Sequence, residues 1–103
     1  MTNDKRQYRS RVQIAAGILE IAKTGSRKTR IMYLGNLSFA LLQKYLEMLV
    51  QYGLLEVRGS SEKSYLATDK GKQFLEDYYE LQKYSEIASS KKRALESTLT
   101  ATS

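Results

Sequence analysis

The sequence predicts a mainly helical α+β fold: three helices, a β-hairpin and one long C-terminal helix. Three observations predict it. Apolar residues recur at a helical period as far as Tyr52. The period then becomes strand-like through two short runs, and from Asp69 onward one helical pattern continues without a break. The 103 residues suffice for one core domain.

The first helix is expected from Ser10 to Lys23, because Ile14, Ile18, Ile21 and Ala22 share one face of a 3.6-residue period. Thr24-Gly25-Ser26 stops it, with Gly25 expected as its left-handed cap. A short second helix spans Thr29 to Leu34, Gly35-Asn36 turns the chain, and Ser38 is the expected N-cap of a third helix. That helix runs from Phe39 to Tyr52 and ends at Gly53. Its broad apolar arc centres on Leu42, Tyr45, Leu46 and Leu49; its narrow polar arc holds Ala40, Gln43, Lys44, Glu47 and Gln51. Leu54 to Arg58 and Ser64 to Ala67 read as strands about a Gly59-Ser60-Ser61-Glu62 turn. Thr68 caps the last helix, with Asp69 in its first turn, where a negative charge suits the dipole. The Ser/Thr-rich end from Ser97 is expected to fray. Tyr33, Tyr45 and Tyr65 are expected in the core or at its edge.

A short helix, a Gly-containing turn and a longer helix form a helix-turn-helix unit. A hairpin directly after the longer helix is the wing of a winged helix, and that longer helix is the one able to enter a major groove. The last helix, from Asp69 to Leu99, would be about 46 Å long, against about 28 Å for a compact domain of the remaining residues. About a third of it is therefore expected to project. Phe74, Leu81, Ala88 and Leu95 recur every seven residues along it, with Tyr78, Tyr84 and Leu99 beside them. Phe74, Tyr78 and Leu81 can reach their own domain; Leu95 cannot. A projecting apolar seam needs a partner, so a two-stranded coiled coil with a dimer interface of Phe74, Tyr78, Leu81, Tyr84, Ala88 and Leu95 is expected. Tyr79 falls either in that seam or in domain packing.

Residues 76–86 carry Glu76, Asp77, Glu80 and Glu86 against Lys83, whereas residues 91–96 carry Lys91, Lys92 and Arg93 against Glu96. An antiparallel coil lays the acidic part over the basic part; a parallel one sets like beside like. The expected organisation is a basic arm (1–11), a winged-helix domain (12–68), a coiled-coil helix (69–99) and a frayed tail (100–103).

The charge pattern points to the partner. The net charge is +6, and residues 1–68 carry all of that excess. Between Lys5 and Arg30 the basic residues Lys5, Arg6, Arg9, Arg11, Lys23, Arg27, Lys28 and Arg30 face one carboxylate, Glu20. The bland reading is a solvated basic surface; the functional one is a phosphate-tracking patch. Absence of Cys and His excludes zinc-finger and iron–sulfur sites, and with them Ser-His-Asp and Cys-His catalysis. No glycine-rich phosphate loop or pocket-forming carboxylate pair is evident, so an enzyme is the least expected reading, and no cofactor, metal or small-molecule ligand is expected. The opening residues lack an apolar signal region and no long apolar run occurs. Neither a signal peptide nor a membrane span is expected; a cytoplasmic, nucleoid-associated location is.

Double-stranded DNA is the expected partner. Arg27, Lys28 and Arg30 are assigned to phosphate. Ser38 either donates to phosphate or is occupied as a cap, and Asn36 in the preceding turn is placed with the DNA-binding set. Gln43 and Lys44 are within reach of base edges, and Glu47 limits that contact to about the first two turns. Arg58 and Lys63 flank the wing turn and either grip the backbone or, for Arg58, pair with Glu56 or Glu62. Arg9 and Arg11, with Lys5 and Arg6, form an arm that either lies in a minor groove or is disordered.

The run GSRKTRIMYLGNLSFALLQKYLEMLVQYGLLE, followed by YLATDKGKQFLEDY and a polar heptad helix, resembles the small archaeal winged-helix chromatin proteins of the Sso-ten-a family. The resemblance covers Val12 to the end of the last helix, and KTRIMY, NLS-ALLQKY and Y-L-T-KG carry it. It implies a homodimer joined by an antiparallel coiled coil of the last helices. It also implies sequence-tolerant binding of double-stranded DNA, with bridging or compaction of the chromosome. The chain departs from the family in its longer basic arm and in a seam containing Ala88 and Lys91. The alternatives are a sequence-specific regulator on the same fold and a module that binds protein instead of DNA.

Overall fold

The computed structural model describes residues 9–101. In chain order it contains α1 (Arg11–Ile21), α2 (Lys28–Gly35), α3 (Phe39–Gln51), β1 (Leu55–Arg58), β2 (Ser64–Ala67) and α4 (Asp69–Ala101). This is the winged helix-turn-helix arrangement followed by a long helix.

Local chemistry sets the helix ends. Ser10 opens α1 with a reciprocal capping box: the Gln13 N–H donates to Ser10 Oγ at 3.1 Å and the Ser10 N–H donates to Gln13 Oε1 at 2.8 Å. Ala22, not Gly25, caps its C-terminus. Gly25 does adopt a left-handed φ of +97°, but it lies three residues further on, where it turns the chain toward the hairpin. Asn36 closes α2 in the left-handed region, with φ +53°. Ser38 Oγ accepts the Leu41 N–H at 3.2 Å and starts α3.

One core joins the elements. Ile18 and Leu19 of α1, Ile31 of α2, Leu42 and Leu49 of α3 and Leu55 of β1 are fully buried, and α4 adds Leu75. The strands pair antiparallel from Leu55↔Ala67 to Arg58↔Ser64. Ser26 extends this pairing from the loop before α2: its N–H donates to the Tyr65 carbonyl at 2.9 Å and its carbonyl accepts the Tyr65 N–H at 2.7 Å. The wing is thereby fastened to the helix-turn-helix by backbone bonds. Tyr45 and Tyr65 are buried as expected, but Tyr33 is 83% exposed. Ile31 and Met32 occupy the inward side of α2, and the helical turn carries Tyr33 round to the outside.

Thr68 Oγ1 accepts the Gly71 N–H at 3.1 Å and donates to the Gly53 carbonyl at 2.6 Å, so it caps α4 and ties it to the end of α3. Phe74 and Tyr78 pack against the core. From Tyr79 through Thr100 every side chain is exposed. Leu81, expected to reach its own domain, is 60% exposed. About two-thirds of the helix projects, twice the expected share, because only its first three turns meet the core. The radius of gyration, 17.9 Å, exceeds the about 13 Å of a compact chain this long. The helix continues past Ser97 to Ala101. None of the described helices is long and apolar enough to cross a membrane.

Gly71 is where α4 meets the domain. A Cβ there would lie 2.3 Å from the Leu54 carbonyl oxygen and 3.2 Å from Leu19 Cδ2. Backbone cannot yield as a side chain can, so Gly71→Ala is expected to cost ~3 kcal/mol, the upper part of the overpacking range. Thermal unfolding should register this as a fall in Tm of roughly 10–20 °C; an unchanged Tm would show that α4 shifts freely against α1 and Leu54.

Candidate nucleic-acid interface

The interface is built outward from the start of α2. Arg27 occupies the N-cap position with no side-chain hydrogen bond to the helix. The first N–H groups of α2 have no intrahelical partner and favour negative charge. They open into a cleft lined by Ser26, Arg27, Thr29, Arg30 and, from the wing, Ser64.

Two adjacent cations then connect α2 to the elements on either side. The Arg27 guanidinium meets Glu62 in the wing turn at 2.5 Å. Lys28 Nζ donates to Gln43 Oε1 on α3 at 2.9 Å and sits 5.6 Å from the centre of the Phe39 ring. Gln43 Nε2 in turn donates to Glu47 Oε2 at 3.3 Å. The start of α2, the outer face of α3 and the wing therefore share one continuous surface. Arg30, Lys44 and Lys63 are exposed and, among the described residues, carry no hydrogen bond or ion pair.

The other expected site residues fall into different surroundings. Arg58 Nε pairs with Glu56 at 2.6 Å; residues two apart on a strand share a face, which decides between Glu56 and Glu62. Ser38 Oγ is occupied as an acceptor by its cap, leaving its hydroxyl proton to donate. The expected minor-groove arm changes character: Arg9 donates to the Gly35 and Asn36 carbonyls at 3.0 and 3.1 Å, where a cation suits the C-terminal end of α2. Arg11 already belongs to α1, and its guanidinium lies 3.8 Å from Met48 Sδ. Lys5 and Arg6 lie outside the described residues.

In the expected dimer seam, Phe74 and Tyr78 are half-buried on their own domain, whereas Leu81, Tyr84, Ala88 and Leu95 face solvent. Tyr79 is exposed, and its hydroxyl bonds to Glu20.

The sequence reading missed two features of this surface. Glu62 pairs with Arg27, so part of the charge at the start of α2 is already neutralised. Phe39, at the first position of α3, is 62% exposed. The spacing carried a signal for the latter: Phe39 lies four residues before Gln43, hence on the same side of the helix.

A family model described as winged helix-turn-helix matches residues 8–86. The chain belongs to this family. A relative from Methanocaldococcus jannaschii, an uncharacterized protein, is 35% identical over 81 residues, covering 77% of this chain and 80% of the relative. The winged helix and its long C-terminal helix are similar to the crystal structure of Sso10a-2, a DNA-binding protein from Sulfolobus solfataricus. The TM-score is 0.78 at 29% identity, over 88% of this chain and 97% of that one. The likeness to the Sso-ten-a family read from the sequence is thereby borne out. A MarR family transcriptional regulator from Silicibacter pomeroyi shares the winged-helix fold, with a TM-score of 0.62 at 16% identity over 76% of this chain and 58% of the regulator.

Proposed function

We propose that this winged-helix protein binds double-stranded DNA with little sequence preference, as an architectural protein of the nucleoid, and has no enzymatic activity. One observation carries the proposal: the start of α2, the outer face of α3 and the wing form one surface, on which Arg30, Lys44 and Lys63 stand free of partners among the described residues. Similarity to a DNA-binding protein over nearly all of that protein's length supports it. The stock of base-reading groups is poor. Gln43 has both ends of its amide engaged within the chain, and Glu47 beside it repels phosphate. Positive charge with few free hydrogen-bonding readers favours backbone contact over base readout.

The protein acts as a homodimer through α4. Leu81, Tyr84, Ala88 and Leu95 form an exposed apolar stripe on a helix extending far beyond its own domain, and a stripe of that kind is covered by a second helix. The pairing is antiparallel, since that places the acidic residues 76–86 opposite the basic residues 91–96. Two DNA-binding faces at opposite ends of one coil allow the dimer to bridge two duplexes.

Titrating two unrelated duplexes across a salt series tests this reading. A dimer neutralising six or more phosphates should give a slope of log K against log salt of about −5 or steeper, and the two duplexes should differ by less than about tenfold. A slope near zero refutes DNA binding by this surface, and a preference of a thousandfold for one duplex refutes the sequence-tolerant part.

A further inference from the structure

We infer that the first turn of α3 reads the C5-methyl group of thymine, through the exposed ring of Phe39 with Ala40 beside it, and that this contact gives the protein a base preference. The inference rests on the DNA-binding reading above and assigns a specificity determinant within it.

The helix that enters a major groove presents its N-terminal residues to base edges. Here those residues are Ser38, Phe39 and Ala40, all exposed. Ser38 accepts the cap bond of its own helix. Gln43, the amide nearest the start of this face, accepts from Lys28 and donates to Glu47. Ser38 keeps a hydroxyl proton to donate and Lys44 a free ammonium, so the groups in the first turn that can meet a base edge only by apolar contact are Phe39 and Ala40. An apolar side chain gains from a base edge only where that edge is apolar, and in the major groove that is the methyl group of thymine. Among the described residues nothing covers Phe39: its ring contributes nothing to the core, and the Lys28 ammonium lies beside it. That cation lies between the ring and the start of α2, so it can hold phosphate while the ring reaches into the groove. Glu47, one turn beyond Gln43, confines the contact to the beginning of the helix.

One methyl group removed from water is worth about fourfold in affinity. This is small enough to coexist with sequence-tolerant binding.

The test compares duplexes that differ by that methyl group alone. The full chain is titrated by fluorescence anisotropy against an A·T-rich duplex and against the same duplex with deoxyuridine replacing every thymidine. A G·C-rich duplex is measured with cytosine and with 5-methylcytosine. The thymine and 5-methylcytosine duplexes should each bind about fourfold more tightly, or better where several methyls are met. Phe39→Ser, whose fold is checked by circular dichroism, should abolish both differences and leave the salt slope unchanged; Phe39→Leu should retain them in part. Equal binding of the thymine and uracil duplexes by the native chain overturns the inference while the DNA-binding reading stands. A difference that survives in Phe39→Ser overturns it as well, assigning the discrimination to DNA shape. Failure to bind any duplex at low salt overturns the DNA-binding reading itself.

Discussion

Replacing Arg27, Lys28 and Arg30 together by alanine is expected to weaken DNA binding by roughly two to three orders of magnitude at 0.1 M salt, from three lost phosphate contacts at a slope of about −0.9 each. The slope of log K against log salt should fall by about 3 per protomer. The loss should be uniform across sequences, because phosphate contacts carry no base information. The three residues are not equivalent. Arg30 has no competing partner among the described residues, so Arg30→Ala alone should show the full loss of one contact. Arg27 is shared with Glu62, and Arg27→Ala also leaves that carboxylate facing the DNA. Lys28→Ala frees the Gln43 amide oxygen, so a gain in sequence dependence should accompany the loss in affinity. Arg27 and Arg30 are exposed, where substitutions change stability by about 0.5 kcal/mol or less, and half-buried Lys28 gives up one hydrogen bond to Gln43, worth about 1 kcal/mol. The melting temperature therefore serves as the control. An unchanged salt slope in the triple variant would place the DNA elsewhere on the molecule.

The second large effect is on assembly. Leu81→Lys with Leu95→Lys places charges at two levels of the exposed stripe on α4. Losing two leucines from an interface costs about 2–5 kcal/mol each, before any charge is desolvated. A seam that also contains Ala88 and Lys91 has little in reserve. The double variant should sediment as a monomer at concentrations where the native chain is a dimer. Its winged helix should remain folded, because Leu81 and Leu95 are 60% and 68% exposed and make no part of the core. Its DNA affinity should fall, one chain offering half the phosphate contacts. Orientation is tested by crosslinking. Asp77→Cys should not join to its own mate, whereas Asp77→Cys combined with Lys91→Cys should form a disulfide between the two sites. Ready coupling of Asp77→Cys to itself would show a parallel coil and refute the charge-segregation argument. Sedimentation of the native chain as a monomer would refute dimerisation altogether.

Much of the fold was legible in one sequence because it is written in local chemistry. The apolar period of Ile14 and Ile18, the cap residues Ser10, Ser38 and Thr68, and the change to strand alternation after Gly53 each act over a few neighbouring residues. Together they determine the elements, their order and their ends to within a few positions. The seven-residue recurrence on α4 and the separation of charge along it are likewise properties of the string.

What the string does not contain is which groups far apart in the chain meet. Only the tertiary structure pairs Arg27 with Glu62 and Lys28 with Gln43, partners 35 and 15 residues apart, and so turns a list of cations into a surface on which some are engaged and others free. Only it commits Arg9 to the end of α2. Tyr33 and Leu75 show the same limit in packing. Both are large apolar residues on helices, but a periodic pattern cannot say which side of a short helix its neighbours will cover. Contacts between α1 and α4, set by the absence of a side chain at Gly71, bury Leu75 after two turns and leave everything beyond Tyr78 in solvent. The reach of α4 beyond its domain was a matter of arithmetic. Where it departs was decided by one close approach of backbone to backbone.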